Sequence, residues 1–143
     1  MGAIEVSREV RLAAPAAEVW DLIGPFGSLD RWHPAVLLCD LDEEDGHTVR
    51  RVKVVGNVRT VQRLISHDDA ARRYRYAITE GDLPVYDYDA VLSVREDGRD
   101  ACVVTWHVTF QAAGAPDDVA REAIEGILDG GLNGLAHRFG RAT

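Results

Sequence analysis

An α+β domain built on an antiparallel meander is the fold class that three features of this sequence predict. Between residues 35 and 111, six runs of strand-like pattern follow one another with only hairpin-length joints. A single stretch, 116–140, carries an apolar stripe at helical spacing. Two short helical segments lie between a first strand and this meander. No internal repeat, low-complexity segment or linker divides the chain, so residues 1–143 read as one domain.

The elements follow in order. IEVSREVRL (4–12) alternates well enough for a first strand. In LAAPAAEVWDLIG, Pro15 suits a first helical position and Glu18 the first turn. Val19, Trp20 and Ile23 give an apolar face, and Gly24-Pro25 stops the helix. A second short helix covers 26–31 and ends before Pro34, because the residue preceding a proline avoids helical geometry. The strands are AVLLCDL, TVRRVKVV, VRTVQRLISH, RRYRYAIT, VYDYDAVLSV and ACVVTWHVTF. DEEDG forms the first turn between them, and Gly56-Asn57 is a two-residue hairpin loop of the kind that supplies positive φ.

Period two sorts the later strands into faces. Tyr86, Tyr88, Ala90, Leu92 and Val94 share one face, with Asp87, Asp89, Ser93 and Arg95 on the other. The tyrosine face turns inward, since a row of carboxylates on a dry face costs several kcal/mol each. By the same rule Val104, Trp106, Val108 and Phe110 face in, as do Tyr74, Tyr76 and Ile78. In the last segment Pro116 and Asp117-Asp118 open a helix and Arg138 lies near its end, matching the helix dipole. Its stripe runs through Ala120, Ile124, Ile127, Leu128, Gly131, Leu132, Leu135 and Phe139, with Glu122, Asp129, Asn133 and His137 opposite.

Composition excludes several function classes. The net charge of −8 opposes nucleic-acid binding, which needs an excess of Lys and Arg. No apolar run reaches the ~18 residues of a membrane span. MGAIEVSREV lacks the basic-then-apolar pattern of a signal peptide, so a cytoplasmic protein is expected. Cys39 and Cys102 then read as two buried thiols rather than a disulfide. No two histidines stand at metal-ligand spacing, so no metal site is expected; no cofactor is expected either. GGLNG (130–134) lies inside a helix rather than after a strand, which removes its value as a phosphate loop.

The element order, together with APAAEVWDLIGPFGSLDRWHP (14–34), GDLPVYDYDAVLSV (81–94), VTWHVTF (104–110) and a final helix ending GLNGLAHRFG, resembles the START/SRPBCC superfamily. Within it, the sequence looks like the bacterial polyketide cyclase/dehydrase-like branch. The resemblance implies a helix-grip fold, a curved seven-stranded antiparallel sheet wrapped around the long C-terminal helix, with two short helices after the first strand. It also implies a cavity between sheet and helix, and a family that includes binders, carriers and enzymes.

On that fold, DRWHPAV (30–36) leads past the cavity mouth, which makes Trp32 and His33 rim or lining residues. Tyr76, Tyr88, Trp106, Val108, Ile124, Ile127, Leu128 and Gly131 are the further candidate lining residues. The aromatics either fill a core or orient a ligand with their hydroxyl and indole groups. His33 is the candidate catalytic residue, either a general acid or base at the mouth or a cap on backbone groups ahead of Pro34. Gly131 marks either close helix–sheet contact or room for a ligand. The functional expectation is a domain that encloses a small hydrophobic or amphipathic, lipid- or polyketide-like molecule. The alternative is a cyclase or dehydratase that uses the same cavity, with His33 or a tyrosine moving protons. A weaker alternative is a protein-interaction module.

Overall fold

The computed structural model describes residues 2–143. Its elements are β1 (Ile4–Leu12), α1 (Ala16–Ile23), a 3₁₀ turn (Phe26–Ser28), α2 (Leu29–Trp32), β2 (Val36–Glu44), β3 (His47–Val54), β4 (Val58–Asp68), β5 (Arg73–Gly81), β6 (Val85–Glu96), β7 (Cys102–Ala112) and α3 (Asp117–Phe139). All seven strands join one antiparallel sheet in the order β1-β7-β6-β5-β4-β3-β2. The sheet curves around α3, which is the helix-grip arrangement. β1 closes against β7 along its whole length, with Val6 opposite Val108 and Val10 opposite Val104.

Local chemistry sets most boundaries. Pro15 and Pro116 stand one residue ahead of α1 and α3, each with φ −61°, so a pre-set dihedral starts both helices. Gly140, with φ 80° and an N–H bonded to the Ala136 carbonyl, ends α3. The turn between β2 and β3 is tighter than DEEDG suggested. The strands pair as far as Glu44 and His47, leaving only Asp45-Gly46 at positive φ. The next turn is longer than expected, because Val54 pairs with Val58 and three residues lie between them.

The core lies between the concave face of the sheet and α3. Trp106, Val108, Phe110, Leu92, Tyr74 and Tyr76 come from the strands, and Ile124, Leu128, Leu132 and Leu135 from the helix. Each such side chain contributes roughly 1.5–3 kcal/mol on burial. One inward assignment fails. Tyr86 is 49% exposed and hydrogen-bonds Gln111 at 2.9 Å, because a bulge between Tyr86 and Asp89 shifts the register. Asp87 takes φ 50° there, so the alternation restarts and Tyr88 alone turns inward. No helix among the described residues is long and apolar enough to cross a membrane.

Candidate functional site: a small cavity between sheet and helix

α3 packs against β1 and β7 at one side of the sheet. Over β3, β4 and β5 the cover is thinner, and a cavity of about 30 Å³ remains. That is room for roughly two water molecules. Val52, Thr60, Gln62 and Ile78 form its floor, Tyr76, Tyr88 and Trp106 one wall, and Leu29, His33, Val36, Leu83 and Ile127 its cover. A larger depression of about 520 Å³ is bordered by Arg51, Lys53, Arg59, Glu80 and Asp82. It is lined by charges of both signs and holds none of the inward aromatics. The small internal cavity is therefore the candidate site.

Its polar groups are held in pairs. The Trp106 indole Nε1–H donates to the Tyr76 hydroxyl at 3.1 Å. Burial, and then the neighbouring Tyr76, pushes the Tyr88 hydroxyl well above its ordinary value, and burial also raises Tyr76. Both phenols are thus neutral donors at physiological pH. The Gln62 amide donates to Thr60 Oγ1 at 3.1 Å, and its carbonyl accepts from Arg50 Nε at 2.7 Å.

His33 is 2% exposed and tied at both ring nitrogens. Nδ1 accepts from the Ala35 N–H at 3.2 Å, and Nε2 donates to the Ile127 carbonyl at 2.7 Å. A carbonyl can only accept and an amide N–H can only donate, so this pair of bonds selects one neutral tautomer. Burial lowers the His33 pKa. The ring pins the 32–36 turn to α3 through these two backbone bonds.

The other candidates divide by where α3 crosses the sheet. Tyr76, Tyr88, Trp106 and Ile127 border the cavity together with His33. Trp32, Val108, Ile124 and Leu128 do not. They sit in the packed core where α3 lies against β7, and Trp32 faces Trp106 with 5.6 Å between ring centroids. Gly131 is no open space either. A Cβ placed there would stand 2.8 Å from His33 Cδ2 and 2.8 Å from Trp106 Cζ3. At Gly134 it would meet Pro34 Cδ at 2.8 Å. Two glycines of GGLNG thus form the socket for the His33-Pro34 turn, and the bare helix surface is filled by those rings.

Arg50, on β3, also turns into this interior and is 0% exposed. In TVRRVKVV each face of the strand carries an arginine, so alternation alone leaves the inward one undecided. The signal was Val52 and Val54, which share a face with Arg50 and border the cavity.

A family model described as polyketide cyclase/dehydrase and lipid transport matches residues 3–140. The chain belongs to this family. Among solved structures, XoxI from Bacillus cereus is similar at 29% identity and a TM-score of 0.88, covering 94% of each chain. The Zhui aromatase/cyclase from Streptomyces sp. R1128 shares the fold, at 21% identity and a TM-score of 0.78 over 96% of this chain and 93% of that one. The abscisic acid receptor PYL2 of Arabidopsis thaliana is 33% identical over 91 residues. That match covers 60% of this chain and 48% of the receptor, so the chain spans about half of that relative.

Proposed function

We propose that this member of the polyketide cyclase/dehydrase and lipid-transport family binds a small hydrophobic or amphipathic molecule in the cavity between sheet and α3. One observation carries the reading. The cavity combines an aliphatic lining with convergent, buried polar groups, the Tyr76, Tyr88, Thr60 and Gln62 side chains. The family description, which includes lipid transport, supports it. A ligand larger than about 30 Å³ must displace the cover, and Leu83, the β3–β4 turn and Ile127 are the elements that would move.

Binding is favoured over a cyclase-type reaction by the state of the proton carriers. His33 has no free ring nitrogen, and Tyr76 and Tyr88 hold their protons firmly. Organic extraction of the freshly purified protein, with native mass spectrometry of the same sample, tests the proposal. A stoichiometric small molecule that leaves on extraction is the expected result. A protein that carries nothing and takes up no aliphatic alcohol or acid from solution would overturn it.

A further inference from the structure

A charged side chain lies fully buried beside two residues that line this cavity, Gln62 and Tyr76, with no charge to oppose it. Arg50 on β3 is 0% exposed. Its Nε donates to Gln62 Oε1 at 2.7 Å, and its Nη1 donates to the Phe26 carbonyl at 2.9 Å and the Tyr74 hydroxyl at 3.2 Å. The guanidinium carbon stands 4.0 Å from the Phe26 ring centroid and 4.8 Å from that of Tyr76. Every one of these partners is neutral. Nη2 is buried and has no partner at all. The chain carries 24 acidic residues, yet none makes an ion pair with Arg50 among the described residues. Arginine keeps its proton at any ordinary pH, and a buried cation is normally matched by a carboxylate.

The fold says where such a match could come from. Arg50 shares the concave face of β3 with Val52 and Val54, which border the cavity. Directly across the ladder from Arg50 is Gln62, a floor residue of the cavity, and Tyr76 belongs to both the cavity wall and the arginine's ring cage. The guanidinium therefore lies one side chain behind the cavity lining. A group that enters the cavity and reaches past Gln62 meets an N–H-rich cation in a dry setting. In such a setting a charge-assisted bond to a carboxylate is strong.

We propose that Arg50 is the anion-recognition residue of this cavity and that its ligand is an amphiphile with a carboxylate head and an apolar tail. This rests on the cavity being the ligand site. The carboxylate accepts from Nη2 and neutralises the buried charge, while the tail lies among Val52, Val54, Ile78 and Leu83 under the cover.

The test compares octanoate with 1-octanol on the ¹⁵N-labelled protein, read by the Trp106 indole N–H resonance and the Arg50 Nε–H resonance. Octanoate is expected to bind at least tenfold more tightly than octanol and to shift the Arg50 resonance, whereas octanol shifts only Trp106. In Arg50→Met the preference is expected to vanish, and in Arg50→Lys to shrink. Equal affinities in the wild type, or an Arg50 resonance that octanoate leaves in place, overturn the proposal while the cavity reading stands. A preference that survives in a folded Arg50→Met variant overturns it too. If neither compound moves Trp106, the cavity reading fails and the proposal with it. The wild-type comparison decides even if both variants fail to fold.

Discussion

His33 shows how one ring can couple stability to pH. The bond from the Ala35 N–H needs a bare Nδ1, and the bond to the Ile127 carbonyl needs a proton on Nε2. A second proton sets N–H against N–H at Ala35 and places a charge in the core. The folded pKa is accordingly held below the ordinary 6.5, with burial as the main cause. The unfolded chain then takes up protons that the folded one refuses. This contribution to stability is complete above about pH 6.5 and is lost as the pH falls from there toward the lowered folded value. Melting temperatures of wild type and His33→Gln between pH 7.5 and 5 check this, and the wild type should lose more over the window than the variant. Truncation to His33→Ala should cost about 2–4 kcal/mol at pH 7.5, because two buried backbone groups lose their partners. A similar argument applies to Tyr76. Tyr76→Phe leaves the Trp106 indole N–H without its acceptor and should cost roughly 1–3 kcal/mol by denaturant unfolding.

Among the elements, α3 separates glycine as tolerated defect from glycine as socket. Gly126 has nothing within 4 Å of a built Cβ, so Gly126→Ala should gain up to about 1 kcal/mol from helix propensity alone. Gly131 has two rings 2.8 Å away. Gly131→Ala should therefore lose stability despite the same propensity gain, and Gly131→Leu should lose roughly 1–3 kcal/mol or more. Thermal unfolding of the three variants side by side checks the opposite signs. The helix itself was legible. Its stripe needed only 100° periodicity, and Ala120, Ile124, Leu128, Gly131, Leu132 and Leu135 are all buried while Glu122, Asp129, Asn133 and His137 are exposed. The strands were legible too, except where the ladder breaks. Nothing in VYDYDAV marks a bulge, because Asp87 adopts positive φ with the pairing around it, and so alternation alone places Tyr86 on the wrong face.

At the scale of the whole molecule, element order and hairpin-length joints were enough for the topology, because consecutive antiparallel strands leave few alternatives. The site was less legible, and the reason is geometric. Periodicity says which side chains face inward; it does not say where along the sheet the helix lies close. Here α3 lies tight against β1 and β7, so Trp32, Val108, Ile124, Leu128 and Gly131 became packed core. The cavity opened instead over β3–β5, between Gln62, Ile78 and Leu83. Arg50 shares the inward face of β3 with Val52 and Val54, and the register sets Gln62 opposite it, a pairing that only the folded sheet reveals.

If this cavity opens to take an apolar molecule, the three tryptophans report on it separately. The Trp106 indole borders the cavity, the Trp20 indole, away from its lining, is bonded to Asp69 at 2.9 Å, and Trp32 lies in the packed core. A ¹H–¹⁵N titration with 1-octanol should move the Trp106 indole resonance saturably and at one equivalent, leaving that of Trp20 in place. Shifts confined to backbone amides around the exposed Leu37, Leu41 and Val55, with Trp106 unmoved at saturation, would contradict it.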